Sequence, residues 1–175
     1  LQQKIQPLYP LCETRLEKHR EYGRKKDLSH PIFDADWRQL SYLWFLRGDY
    51  EKVLSEGHPY MQAAVYMEEG NHRNLTQAIK IWRKIAEEKR DPGAYLNWML
   101  AYLHQLIGVP VENRAERQYI YKNIDALRAK IENGPFQNWT EQDQFQYAWE
   151  LISIWVEQGK SEHQAIKLVT QVLSL

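Results

Sequence analysis

Cysteine is nearly absent. Cys12 stands alone among 175 residues, which excludes an internal disulfide framework and a cysteine-built zinc site. Strand signals are missing too: no segment joins apolar–polar alternation to β-branched enrichment and a hairpin dipeptide. No run approaches the roughly 20 apolar residues that a membrane-crossing helix needs. Net charge is absent as well, with 23 basic residues against 23 acidic ones, so the chain has no general electrostatic pull toward nucleic acid or a membrane surface. Glycine-rich phosphate loops, a nucleophile elbow and HExxH-like histidine pairs are all lacking. The sequence therefore names no catalytic residue, no metal ligand and no cofactor, and it reads as a non-enzyme.

What is present is helical. Hydrophobic residues make up 43% of the chain, with seven Trp and eleven Tyr, enough apolar area for one folded domain of ordinary size. Start and stop signals mark the helices. Asp34 is placed to cap a helix carrying Trp37, Leu40, Tyr42, Leu43, Trp44 and Leu46, broken by Gly48-Asp49. Asp49 then begins a short helix with Val53 and Leu54, ended by Gly57-His58-Pro59, and Pro59 opens a further one that closes near Gly70. Asn74 with Gln77, Asn113 with Glu116, and Ser161 with Gln164 have capping-box spacing. Asp91-Pro92 sets a cap before a first-turn proline, and Thr140 precedes a helix that is apolar almost all round.

These signals predict eight helices in four antiparallel pairs across residues 34–175, preceded by a charged helical segment and linker over residues 1–33. Connections are short, so the paired region reads as one domain. In the N-terminal segment Glu13, Glu17 and Glu21 interleave with Arg15, Lys18, Arg20, Arg24, Lys25 and Lys26 at helical spacing, the pattern of a solvated, self-paired helix. A phosphate-reading arm needs clustered excess positive charge, which is why nucleic-acid binding ranks behind that reading. His30, Asp34 and Asp36 gather an imidazole and two carboxylates. Capping explains Asp34 without a metal or an acid–base role.

Two windows carry a family resemblance. Trp37, Leu40, Ser41, Trp44, Gly48, Tyr50 and Val53 fall at the spacing of tetratricopeptide repeats, and Trp149, Ile152, Ser153, Val156, Gly159 and Ala165 repeat much of it. Between them Ala63, Ala64, Gly70, Ala78, Trp82 and Ala86 resemble the related Sel1-like repeats. The anchors Trp37, Tyr60, Tyr95 and Trp149 are unevenly spaced, so the resemblance is to degenerate repeats. It implies an all-α fold: a right-handed stack of antiparallel helix pairs, a tetratricopeptide-like α-solenoid of about eight or nine helices. It also implies a concave groove lined by the first helix of each pair. The candidates are Arg38, Tyr42 and Phe45; Met61, Gln62 and Val65; Leu96, Asn97 and Leu100; and Tyr147, Glu150 and Ile154.

The expected function is a protein–protein interaction or scaffold module that holds a peptide or helix in that groove. Behind it stand a regulatory or accessory domain of a larger enzyme or secretion assembly, and nucleic-acid binding through the basic N-terminal helix. Asn74-Leu75-Thr76 and Asn138-Trp139-Thr140 fit the glycosylation pattern but sit where helix caps belong. The chain starts at Leu1 rather than Met. That suggests a processed or trimmed product and leaves an extracytoplasmic location open beside a cytoplasmic one.

Overall fold

The computed structural model describes residues 9–26 and 31–173 of the chain. The fold is all-α. The described residues form nine α-helices: α1 Tyr9–Lys26, α2 Pro31–Leu46, α3 Tyr50–Glu56, α4 Pro59–Met67, α5 Leu75–Lys89, α6 Pro92–Gly108, α7 Arg114–Glu132, α8 Glu141–Glu157 and α9 Glu162–Leu173. A 3-10 turn, Phe136–Asn138, joins α7 to α8. No helix among these residues is long and apolar enough to cross a membrane.

Local chemistry sets most of the boundaries. The Asp91 carboxylate accepts from the backbone N–H of Gly93 and of Ala94, with Pro92 at the first helical position of α6. Asn113 accepts from the Glu116 N–H to start α7, and Thr140 accepts from that of Asp143 to start α8. Ser161 and Gln164 form a reciprocal capping box on α9, each side chain serving the other's backbone N–H. Gly48 ends α2 at φ +76°, a conformation in which a side chain is strained. At Gly57 a Cβ would lie 2.3 Å from the Val53 carbonyl oxygen, so only glycine lets the chain turn so closely beneath α3.

Two expected boundaries move. The helix assigned to start at Asp34 begins at Pro31, because proline is itself a good first-turn residue. Asp34 lies inside the first turn and accepts from His58 instead. The fourth helix stops at Met67 rather than near Gly70.

The chain forms two compact units, Leu1–Asn74 and Leu75–Leu175. The boundary expected at 33/34 falls within the first unit, where α1 packs against α2, and α2, α3 and α4 pack on one another. Their core is Leu40, Trp44, Val53, Met61 and Val65. Buried Ser41 accepts from the His58 N–H at 2.7 Å, tying α2 to the cap of α4. In the second unit α6 is the hub, packing against α5, α7 and α8, while α9 covers α8. Ala78 and Ala86 on α5 and Ala94 and Ala101 on α6 are fully buried, and small residues at a crossing let helix axes approach.

Buried Arg117 fastens three helices of this unit. From α7 it donates to the carbonyls of Leu106 and Val109 at the end of α6, both at 3.0 Å, and to the Glu157 carbonyl at the end of α8, also at 3.0 Å. The Leu106 carbonyl also takes the Val109 N–H and that of Glu157 the Tyr121 hydroxyl, and the guanidinium adds a positive charge at the negative helix ends.

Candidate interaction surfaces

Helix α8 is apolar on nearly every side, so burial alone decides which face is core. Tyr147, Ala148, Leu151, Ile154 and Trp155 point inward. Phe145, Trp149 and Val156 are left outside, 68%, 60% and 39% exposed. Positions 145, 149, 152 and 156 follow one line of a helix, and Ile152 lies half-buried between the other three. A phenyl, an indole and two aliphatic side chains thus stand in file along one side of α8. Among the residues of α8 four are acidic and none is basic.

The twelve expected groove positions separate by burial. Met61 and Val65 in the first unit are core, as are Leu96, Tyr147, Glu150 and Ile154 in the second. Phe45, Gln62, Asn97 and Leu100 are half-buried. The side-chain amide of Gln62 donates to the Leu54 carbonyl at 2.9 Å, and that of Asn97 to the Gly93 carbonyl at 2.7 Å, both within the fold. Arg38 and Tyr42 are exposed on α2 beside Leu46, with the Arg38 guanidinium 3.8 Å from the Tyr60 ring centroid. Trp149, an anchor by the repeat spacing, faces solvent, as does Val156. The inward face of α8 is already filled by Tyr147, Leu151 and Trp155.

The chain matches no family model, no curated protein and no solved structure. The described residues carry two kinds of candidate feature, exposed apolar surfaces and buried polar groups.

Those polar groups are engaged structurally. His58 accepts the Tyr60 N–H on Nδ1 at 3.1 Å, so the ring hydrogen is on Nε2, which donates to Asp34 at 3.1 Å. Both ring nitrogens are thus committed to holding α4 against α2. Asp36, the other carboxylate of the His30–Asp36 segment, pairs with His19 of α1 at 2.9 Å, and His30 lies outside the described residues. Among the described residues no cluster of three or more His, Cys, Asp and Glu could hold a metal ion. A shallow depression on α5 is lined by Lys80, Arg83, Lys84, Glu87 and Glu88. A hydrogen bond from Lys130 holds the Glu87 carboxyl below its ordinary range.

Glu150 differs from these. It is 3% exposed. Oε1 accepts from the Gln146 amide at 3.2 Å, while Oε2 has no hydrogen-bond partner among the described residues. Burial pushes its carboxyl up to about 8, against the single hydrogen bond, so at neutral pH it is held mainly as the acid. The neighbouring Tyr147 hydroxyl donates to Glu132 at 3.1 Å. Burial and that carboxylate raise its pKa, which keeps it a donor.

Proposed function

We propose that the chain is a protein–protein interaction module that docks a partner helix or peptide along α8. The observation that carries this reading is the exposed file of Phe145, Trp149 and Val156 on a single helix. Large apolar side chains at the surface cost solubility and contribute little to the fold, whereas buried under a partner each contributes about 1.5–3 kcal/mol of transfer free energy. Aromatic anchors of this kind supply most of the energy at interfaces. The exposed Arg38 and Tyr42 of α2 offer the first unit a smaller surface of similar chemistry. The tetratricopeptide-like stacking of helix pairs belongs to the same proposal, supported by the packing of Leu40, Ser41, Trp44 and Val53 at the family's spacing.

The test compares affinity capture from the native source by the wild-type chain and by Phe145→Ala with Trp149→Ala. A partner retained by the wild type and lost by the double variant, with helix content unchanged, is the expected result. Equal capture by both, or capture lost only with Arg38→Ala and Tyr42→Ala, removes α8 as the docking face.

A further inference from the structure

Among its described side chains, helix α1 meets the first unit mostly through polar contacts. None of these side chains is fully buried, and Leu16 is the apolar one among them that packs against the core. The polar contacts are ordered along one line. The Glu13 carboxylate accepts the Trp44 indole N–H at 2.8 Å and Lys52 at 3.4 Å, and it pairs with Arg47. Glu17 takes Lys52 at 3.2 Å. Two turns on from Glu13, the Arg20 guanidinium lies 5.6 Å from the Trp37 ring centroid and 5.8 Å from that of Trp44. It donates to the Glu56 carbonyl at 2.8 Å and to the Glu56 carboxylate at 3.3 Å. The Trp37 indole N–H donates to the same carbonyl at 2.9 Å.

The receiving face thus has two sites with opposite requirements. One, made by the Trp44 indole N–H, Arg47 and Lys52, accepts a carboxylate. The other, made by Trp37, Trp44 and the C-terminal end of α3 at Glu56, accepts a guanidinium through ring faces, a carbonyl and a carboxylate. Glu13, Leu16, Glu17 and Arg20 reach them as i, i+3, i+4 and i+7 of one helical face. Burial pushes the Glu13 carboxyl upward, yet the Trp44 hydrogen bond and the two cations more than offset it, leaving its pKa below the ordinary value. Trp44 is fully covered, so the face requires an occupant, and the chemistry of that occupant is written in α1.

We propose that this face of α2 and α3 is a recognition site for a charged amphipathic helix bearing a carboxylate, an apolar residue and a guanidinium at i, i+3 and i+7, and that α1 fills it in cis as an exchangeable occupant. An interface resting on ion pairs and cation–π contacts can be remade by any helix repeating the pattern, and salt weakens its exposed pair, Glu17 with Lys52. Covalent attachment gives α1 an effective concentration in the millimolar range, so the site stays closed until such a helix is brought close. The site belongs to the first unit and the α8 stripe to the second, and the two proposals stand or fall independently.

The probe is a labelled synthetic peptide of residues 9–26, titrated into the full chain and into the Glu13→Lys, Arg20→Glu chain, whose own α1 is mismatched to the face. The doubly substituted chain is expected to bind the peptide at least about tenfold more tightly than the wild type. A peptide carrying the same two reversals is expected to bind neither, and added salt is expected to weaken the complex. No binding by a doubly substituted chain of unchanged helix content overturns the proposal. So does a wild-type dimer by light scattering that exchanges α1, since the occupant is then a second copy. Should the substituted chain lose helix, hydrogen exchange of the wild type decides. Protection of α1 that falls selectively between roughly 0.05 and 0.5 M salt supports exchangeability, and equal protection of α1 and α2 at both salts refutes it.

Discussion

Replacing Glu150 by Gln isolates the cost of one buried carboxyl. In the unfolded chain this group ionises near its ordinary value of 4.5, and in the folded chain near 8. Below 4.5 both states hold the proton and folding pays no penalty. As pH rises from there, the unfolded state ionises while the folded state stays protonated, so stability falls by about 1.4 kcal/mol per pH unit until the folded group also ionises. The loss reaches about 3 kcal/mol at pH 7. Glutamine carries no proton to lose, and its carbonyl still accepts from Gln146. Its amide N–H₂ replaces an oxygen that lacks a partner, costing about 1–3 kcal/mol at every pH. The variant is therefore expected to be the less stable protein at pH 5 and the more stable one at pH 8, with a swing of about 4 kcal/mol between them. Denaturant-dependent hydrogen exchange of α8 amides measures this in the second unit specifically. A stability difference that stays flat from pH 5 to pH 8 refutes the reasoning, because Glu150 then ionises normally inside the fold.

Two further substitutions test single features. Arg117→Met removes the guanidinium from the carbonyls of Leu106, Val109 and Glu157, and a loss of about 1–3 kcal/mol is expected from chemical denaturation. A loss below 1 kcal/mol would mean that the helix ends find other donors. Ser41→Ala orphans the buried His58 N–H and is expected to cost about 1–3 kcal/mol. Selective loss of hydrogen-exchange protection at the start of α4 checks it.

The sequence disclosed what is local and lost what depends on facing. Asp91-Pro92, Asn113, Thr140 and the Ser161–Gln164 box are readable because a cap and its backbone partner lie within three residues of each other. Local signals put the start of α2 at Asp34 rather than Pro31, because both are good first-turn residues and nothing local ranks them. On α6 and α8 the apolar residues run nearly all round, so periodicity carries no direction. Leu96, Tyr147, Glu150 and Ile154, expected in a groove, are interior, while Phe145 lies at the surface. The i, i+4 pair of Phe145 and Trp149 was the available sign, and it is indistinguishable in sequence from a core pair. The seating of α1 was invisible for another reason. Glu13 meets Arg47 and Lys52, and Arg20 meets Glu56, across 34 to 39 positions, whereas the same charges read locally as i, i+4 pairs within one solvated helix.

The disposition of the seven tryptophans has a practical consequence. Trp44, Trp82, Trp98, Trp139 and Trp155 are buried and Trp37 is half-covered, while Trp149 stands out in water. A collisional quencher such as acrylamide therefore reaches one indole far ahead of the others, and that indole sits at the centre of the α8 stripe. The protein carries its own optical reporter: a ligand that covers α8 should shift the quenchable emission to the blue and shield it, with no label attached.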